Sequence, residues 1–181
     1  MPKEFIEKKM KFTFADDWVV ENYDDHPDYR KGIGRLTESK AVDFVGILQG
    51  TDLFFVEVTD FRGSPSAGMP SKRPPLAEET ASKVRSSIAG IIGACRTSSQ
   101  PQTWKPFACA LVKPAIPLRV VLWLEDSRHL PDHKAYALTM TDLIKKNLRW
   151  LTTHVNVLSQ RLTTGKELRL SVANLSGAGG K

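Results

Sequence analysis

Two apolar runs joined through one glycine constrain this chain more than any other feature. Residues 41–48 (AVDFVGIL) and 53–60 (LFFVEVTD) are rich in Val, Ile and Phe, and Gly50 lies between them. That composition around a turn residue predicts two antiparallel strands and a tight turn. Side chains alternate along a strand, so Asp43, Val45 and Ile47 share one face, and Leu53, Phe55, Glu57 and Thr59 share one face of the next. Pairing Asp43 with Glu57, Val45 with Phe55 and Ile47 with Leu53 requires an odd-numbered loop centred on Gly50. A two-residue loop at Gly50-Thr51 would instead set Asp43 opposite Val58, on the wrong face. An acid shared between the strands is therefore a claim about this turn.

The rest of the chain reads as alternating elements. Residues 1–40 form a lead-in, with FADDWVVENYDDHPDYR predicted as a helix capped by Asp16 or Asp17 and ended by Pro27. Residues 61–75 (FRGSPSAGMPSKRPP) read as a mobile surface loop. Ala77, Ala81, Val84, Ile88, Ile91 and Cys95 recur every three or four residues and predict a helix over 76–95, in which Gly90 and Gly93 allow close packing. SSQPQTWKP reads as loop, and residues 107–112 as a short buried segment. LRVVLWLED (118–126) reads as a central strand by its almost unbroken apolar run. Residues 131–151 form a second amphipathic helix with a basic end. HVNVLS and ELRLSVA are further strands, and SGAGGK (176–181) is a loose tail. The order implies a single α/β domain over 1–181, with one mixed sheet and helices on both faces.

The chain has 181 residues, 41% apolar and 25% charged, which is ordinary for a globular protein with one sizeable core. No apolar run reaches the roughly 18 residues of a membrane span, and the charged start MPKEFIEKKMKF is no signal peptide. Cys95 and Cys109 lack metal-type spacing and read as small core residues of a reduced, cytoplasmic protein. The net charge is +6, unevenly spread: residues 1–60 carry −5, residues 61–133 carry +5 and residues 134–181 carry +6. An acidic portion beside a basic majority suits a metal site facing a polyanion such as nucleic acid.

Two carboxylates side by side in a sheet repel each other and cost desolvation unless a cation joins them. Oxygen ligands of this kind suit Mg²⁺ or Mn²⁺. The plainer alternative is that Asp43 and Glu57 mark strand ends reaching solvent. In AVDFVGIL…DLFFVEVTDFRG, an acid on one strand is followed by an apolar run, a second acid and the trailing Asp60. This resembles the core hairpin of the PD-(D/E)XK nuclease superfamily, the restriction-endonuclease-like fold. The resemblance implies a Mg²⁺- or Mn²⁺-dependent nuclease acting on DNA. It implies that Asp43, Glu57 and the backbone carbonyl of Val58 hold the metal, with Glu21 on the preceding helix as a further catalytic carboxylate. Asp16, Asp17, Asp24 and Asp25 compete with Glu21 for that part.

The chain departs from the pattern at Thr59, which stands where the family has the lysine of Glu-x-Lys. A hydroxyl can hydrogen-bond a water but brings no charge. Three readings stay open. A cation from elsewhere substitutes, with Lys83, Arg85 and Arg62 as candidates and Lys40 facing the wrong way. Or catalysis is lost and the chain is a nucleic-acid-binding or protein-interaction module, with Lys72, Arg73, Lys83, Arg85, Lys145, Lys146 and Arg149 toward phosphates. Or the acids are purely structural. A homodimer or a protein partner is compatible with each.

Overall fold

The computed structural model describes residues 1–62, 73–126, 133–162 and 166–175. Its strands form two sheets. Strands β1 (Lys3–Glu7), β2 (Met10–Phe14) and β8 (Leu170–Asn174) make a small antiparallel sheet in the order β1-β2-β8. Strands β3 (Trp18–Asn22), β4 (Phe44–Leu48), β5 (Asp52–Asp60), β6 (Leu118–Glu125) and β7 (His154–Leu158) make a five-stranded sheet in chain order. β3, β4 and β5 pair antiparallel, whereas β5, β6 and β7 pair parallel. Parallel neighbours need crossovers, and helices supply them. After the short α1 (Pro27–Lys31), α2 (Arg73–Thr97) and α3 (Pro101–Leu111) link β5 to β6, and α4 (His133–Leu148) links β6 to β7. The fold is α/β, with a mixed sheet flanked by helices.

The sheet is not single, and its two faces are covered differently. One face, bearing Val45, Phe55, Leu122 and Val155, packs on Ala81, Val84, Met140 and Ile144 of α2 and α4. The other face, bearing Val20, Phe44, Val56 and Trp123, packs on Met10, Phe12, Phe14 and Leu170 of the small sheet. Helices therefore do not cover both faces. The expected N-terminal helix is strand β3. Trp18 and Val20 are buried while Val19, between them, is 51% exposed, which is the alternation of a half-covered strand. A loop was also expected where α3 begins. Pro101 occupies its first turn, where a missing N–H costs nothing, and burial of Trp104 and Phe107 carries the helix past Pro106.

Smaller differences complete the picture. Cys95 is half-buried, but Cys109 is exposed on α3 rather than in the core. Of the loop expected over 61–75, residues 73–75 belong to α2 and residues 63–72 lie outside the described residues, as does the tail 176–181. No described helix is long and apolar enough to cross a membrane.

Candidate metal centre

The hairpin register is the one the shared-acid argument requires. Val45 pairs with Phe55 and Ile47 with Leu53, and one step beyond the last ladder pair, Phe44 with Val56, Asp43 meets Glu57. A three-residue loop, Gln49-Gly50-Thr51, closes the turn. Gln49 (φ +53°) and Gly50 (φ +71°) both sit in the left-handed region, where glycine is at ease. Asp43 and Glu57 are 3% and 4% exposed. They are not strand ends reaching solvent.

Each acid is held differently. The Val58 N–H donates to Asp43 Oδ2 at 2.6 Å. In an extended strand a residue's N–H and C=O point to the same edge, so the Val58 carbonyl faces the Asp43 side of β5. Glu57 Oε1 accepts from the Lys83 ammonium at 2.5 Å. Glu57 Oε2 is buried and has no hydrogen-bond partner. A buried, unpaired carboxylate oxygen is costly, and a bound cation is one way to satisfy it.

The electrostatics follow from burial. Desolvation pushes the Asp43 carboxyl up to about 7, against the Val58 N–H, which favours the charged form. Desolvation, and then the Asp43 charge, push Glu57 up to about 8, with Lys83 only partly offsetting them. Burial alone would lower Lys83, but its contact with Glu57 outweighs this and holds the ammonium above its ordinary value.

A second acidic group includes Asp43 but not Glu57. Carboxylate oxygens of Glu7, Asp24 and Asp43 all lie within 4.8 Å of one another. Desolvation, and then the Glu7 and Asp25 charges, raise Asp24 to about 6. Asp24 is one of the residues the sequence reading set against Glu21. Glu7 was missed altogether, because it arrives on the N-terminal hairpin of the other sheet, and no spacing in the chain ties residue 7 to residue 43. Glu21 is not in this group. It lies on β3, not on a helix, and pairs with Lys3 at 3.2 Å.

The candidate cations separate cleanly. Lys83 is at the site. Arg85, two residues on, is exposed. Arg62 is tied to Asp60 at 2.8 Å and to Asn174 of β8, so the trailing Asp60 also serves the small-sheet side. Lys40 pairs with Glu79. Lys145 and Lys146 in the last turn of α4, and Arg149 beyond it, are not near the acids. α4 runs back toward the start of β7, which pairs with Arg119 near the start of β6, whereas Glu57 and Asp60 lie toward the other ends of these parallel strands. Lys72 lies outside the described residues, as does the side chain of Arg73.

Thr59 and Glu57 line a cleft of about 550 Å³ with Lys83 and Thr80 of α2. Lys8, at the tip of the β1–β2 hairpin with φ +56°, also lines it and pairs with Glu7 at 3.0 Å. Glu7, Asp24 and Asp43 cluster beside this cleft, whose own wall carries the carboxylates of Glu57, Asp60 and Glu79 and the ammoniums of Lys8 and Lys83. That donor set and the orphaned Glu57 oxygen fit a hard divalent cation such as Mg²⁺ or Mn²⁺. In comparisons with protein-family models, with curated proteins and with solved structures, the chain matches none.

Proposed function

We propose that this protein is a metal-dependent nuclease that hydrolyses DNA phosphodiesters with Mg²⁺ or Mn²⁺. The observation that carries the reading is the buried Asp43–Glu57 pair, one oxygen of it unpartnered, with Lys83 against the other carboxylate oxygen of Glu57. Asp43, Glu57 and the Val58 carbonyl would hold the metal, with Asp24 and Glu7 beside Asp43. The metal would polarise a phosphoryl oxygen and make a bound water acidic enough to serve as nucleophile near neutral pH. Lys83 supplies the positive charge that Thr59 cannot. Its ammonium orients the attacking water by hydrogen bonding and offsets charge that builds on the phosphorane oxygens. The Thr59 hydroxyl adds a hydrogen-bond partner on the same wall. The Lys83 position weakens the case for a degenerate binding module, which rested on the missing lysine.

The test combines activity with binding. Protein incubated with plasmid and with single-stranded DNA should cleave in Mg²⁺ or Mn²⁺ and not in EDTA. Calorimetric titration with Mn²⁺ should show binding that an Asp43→Ala, Glu57→Ala double variant loses. Cleavage that survives in that variant overturns the catalytic assignment, and Mn²⁺ binding without cleavage returns the chain to the binding-module reading.

A further inference from the structure

At the other end of the five-stranded sheet lies a second groove, of about 460 Å³, walled by the end of α3, the turn that follows it and the start of β7. Lys113, Arg149 and His154 line it, and none of its lining residues is acidic. Lys113 and Arg149 are exposed and make no ion pair among the described residues, and Asp52, which interacts with His154, is itself tied to Arg119. Next to Arg149 in the chain stands Trp150, 63% exposed, while Trp18, Trp104 and Trp123 are all buried. Lys145 and Lys146 stand one turn earlier in the chain, in the last turn of α4.

We infer that this groove and its rim bind single-stranded nucleic acid: Lys113 and Arg149 of the lining take phosphates, and Trp150, exposed between the lining residues Arg149 and Leu151, stacks a base at the edge. A flat indole left in water next to an unpaired Arg149, at the rim of a groove that also carries Lys113, is the pairing of platform and charge that single strands require, since an unstacked base offers its face and a duplex does not. The inference goes beyond the cleavage reading and does not need it, because the groove and the acids occupy opposite ends of the sheet.

Trp150 reports on its own site, as the exposed indole among four. In EDTA and low salt, oligodeoxythymidine should quench the protein's fluorescence, and a duplex of the same length should quench it far less. Trp150→Ala should remove the quench and weaken binding by roughly 10-fold, measured by anisotropy of a labelled strand, while Trp150→Phe keeps most of the affinity. An Arg149→Ala, Lys113→Ala variant should lower the slope of log affinity against log salt by about 1 to 2. Equal quenching by heparin, an acidic peptide or anionic lipid vesicles overturns the proposal in favour of a general polyanion surface. Affinity untouched by Trp150→Ala and Arg149→Ala also overturns it.

Discussion

Thr59 and Lys83 face the same cleft from different elements, one from β5 and one from α2, and only the second carries charge. The 2.5 Å contact between Lys83 and Glu57 places that charge on the carboxylate whose other oxygen is unpaired. Removing a positioned electrostatic group costs on the order of 10²–10⁴ in rate. Lys83→Ala should therefore reduce single-turnover DNA cleavage by that range at saturating Mn²⁺. Its Mn²⁺ affinity should hold or rise, since an ammonium no longer competes for Glu57. Thr59→Lys alone should change the rate little, because the cleft already has its cation. In the Lys83→Ala background, Thr59→Lys should recover roughly 10-fold or more by restoring a charge on the same wall. Native-like cleavage by Lys83→Ala would remove Lys83 from the mechanism. The acids themselves were legible in the sequence, since the period of a strand fixes which residues share a face. The cation was legible only as one of several, because helix α2 brings Lys83 across 26 positions of chain, and no local pattern encodes that approach.

Helix α2 shows what an element's sequence can and cannot say. Its apolar period was plain, and both glycines in it suggested close packing. Only Gly90 is in such a contact: a Cβ there would lie 2.2 Å from the Tyr23 hydroxyl and 2.8 Å from Ile33. A Cβ at Gly93 would meet nothing within 4 Å. Gly90→Ala should thus destabilise the fold by about 1–3 kcal/mol through overpacking, whereas Gly93→Ala should stabilise it by about 0.5–1 kcal/mol through helix propensity. Urea denaturation of both variants checks this, and equal shifts would show that Tyr23 does not fix the helix. Strands β4, β5 and β6 were legible because their apolar runs are long and dense in β-branched residues. Strand β3 was misread because acids on both sides of Trp18 and Val19 look like helix caps. The Trp18–Val20 alternation is the better signal, and Leu48 and Gly46 of β4 are what Trp18 and Val20 pair with. Strands β1 and β2 lie in what reads as a lead-in, although MKFTF alternates cleanly. Met10, Phe12 and Phe14 are fully buried against the large sheet. Nothing local reveals that partner, which arrives only through tertiary packing, and so the second face seemed to belong to helices.

At the scale of the whole molecule the acidic centre is a junction. Glu7 comes from the small sheet, Asp24, Asp43 and Glu57 from the large sheet or its edge, and Lys83 from the helical layer. Metal binding there would join all three layers, and the metal-free protein bears the cost of burying those acids. Asp24, Asp43 and Glu57 are raised by desolvation to about 6, 7 and 8 in the folded chain, against ordinary values of 3.8, 3.8 and 4.5. The folded state therefore holds more protons than the unfolded state between about pH 4 and pH 8. With raised carboxyl values, the stability contribution is complete below pH 4 and is lost as pH climbs through 6, 7 and 8. In EDTA, the melting temperature should fall from pH 5 to pH 8 by on the order of 5–10 °C for a chain of this size. Mn²⁺ should reverse most of that fall at pH 8 and little at pH 5, where protons occupy the ligands. Asp43→Asn should flatten the EDTA profile, because an amide has no proton to lose. Glu7→Gln should leave the fold intact but shrink the Mn²⁺-dependent rise, because its oxygen is the small sheet's contribution to the junction. Scanning calorimetry in EDTA and in Mn²⁺ across that range measures all of these. A melting temperature that climbs steadily from pH 5 to pH 8 without metal would mean that the acids are ionised and satisfied by the chain alone, leaving no electrostatic vacancy for a cation to fill.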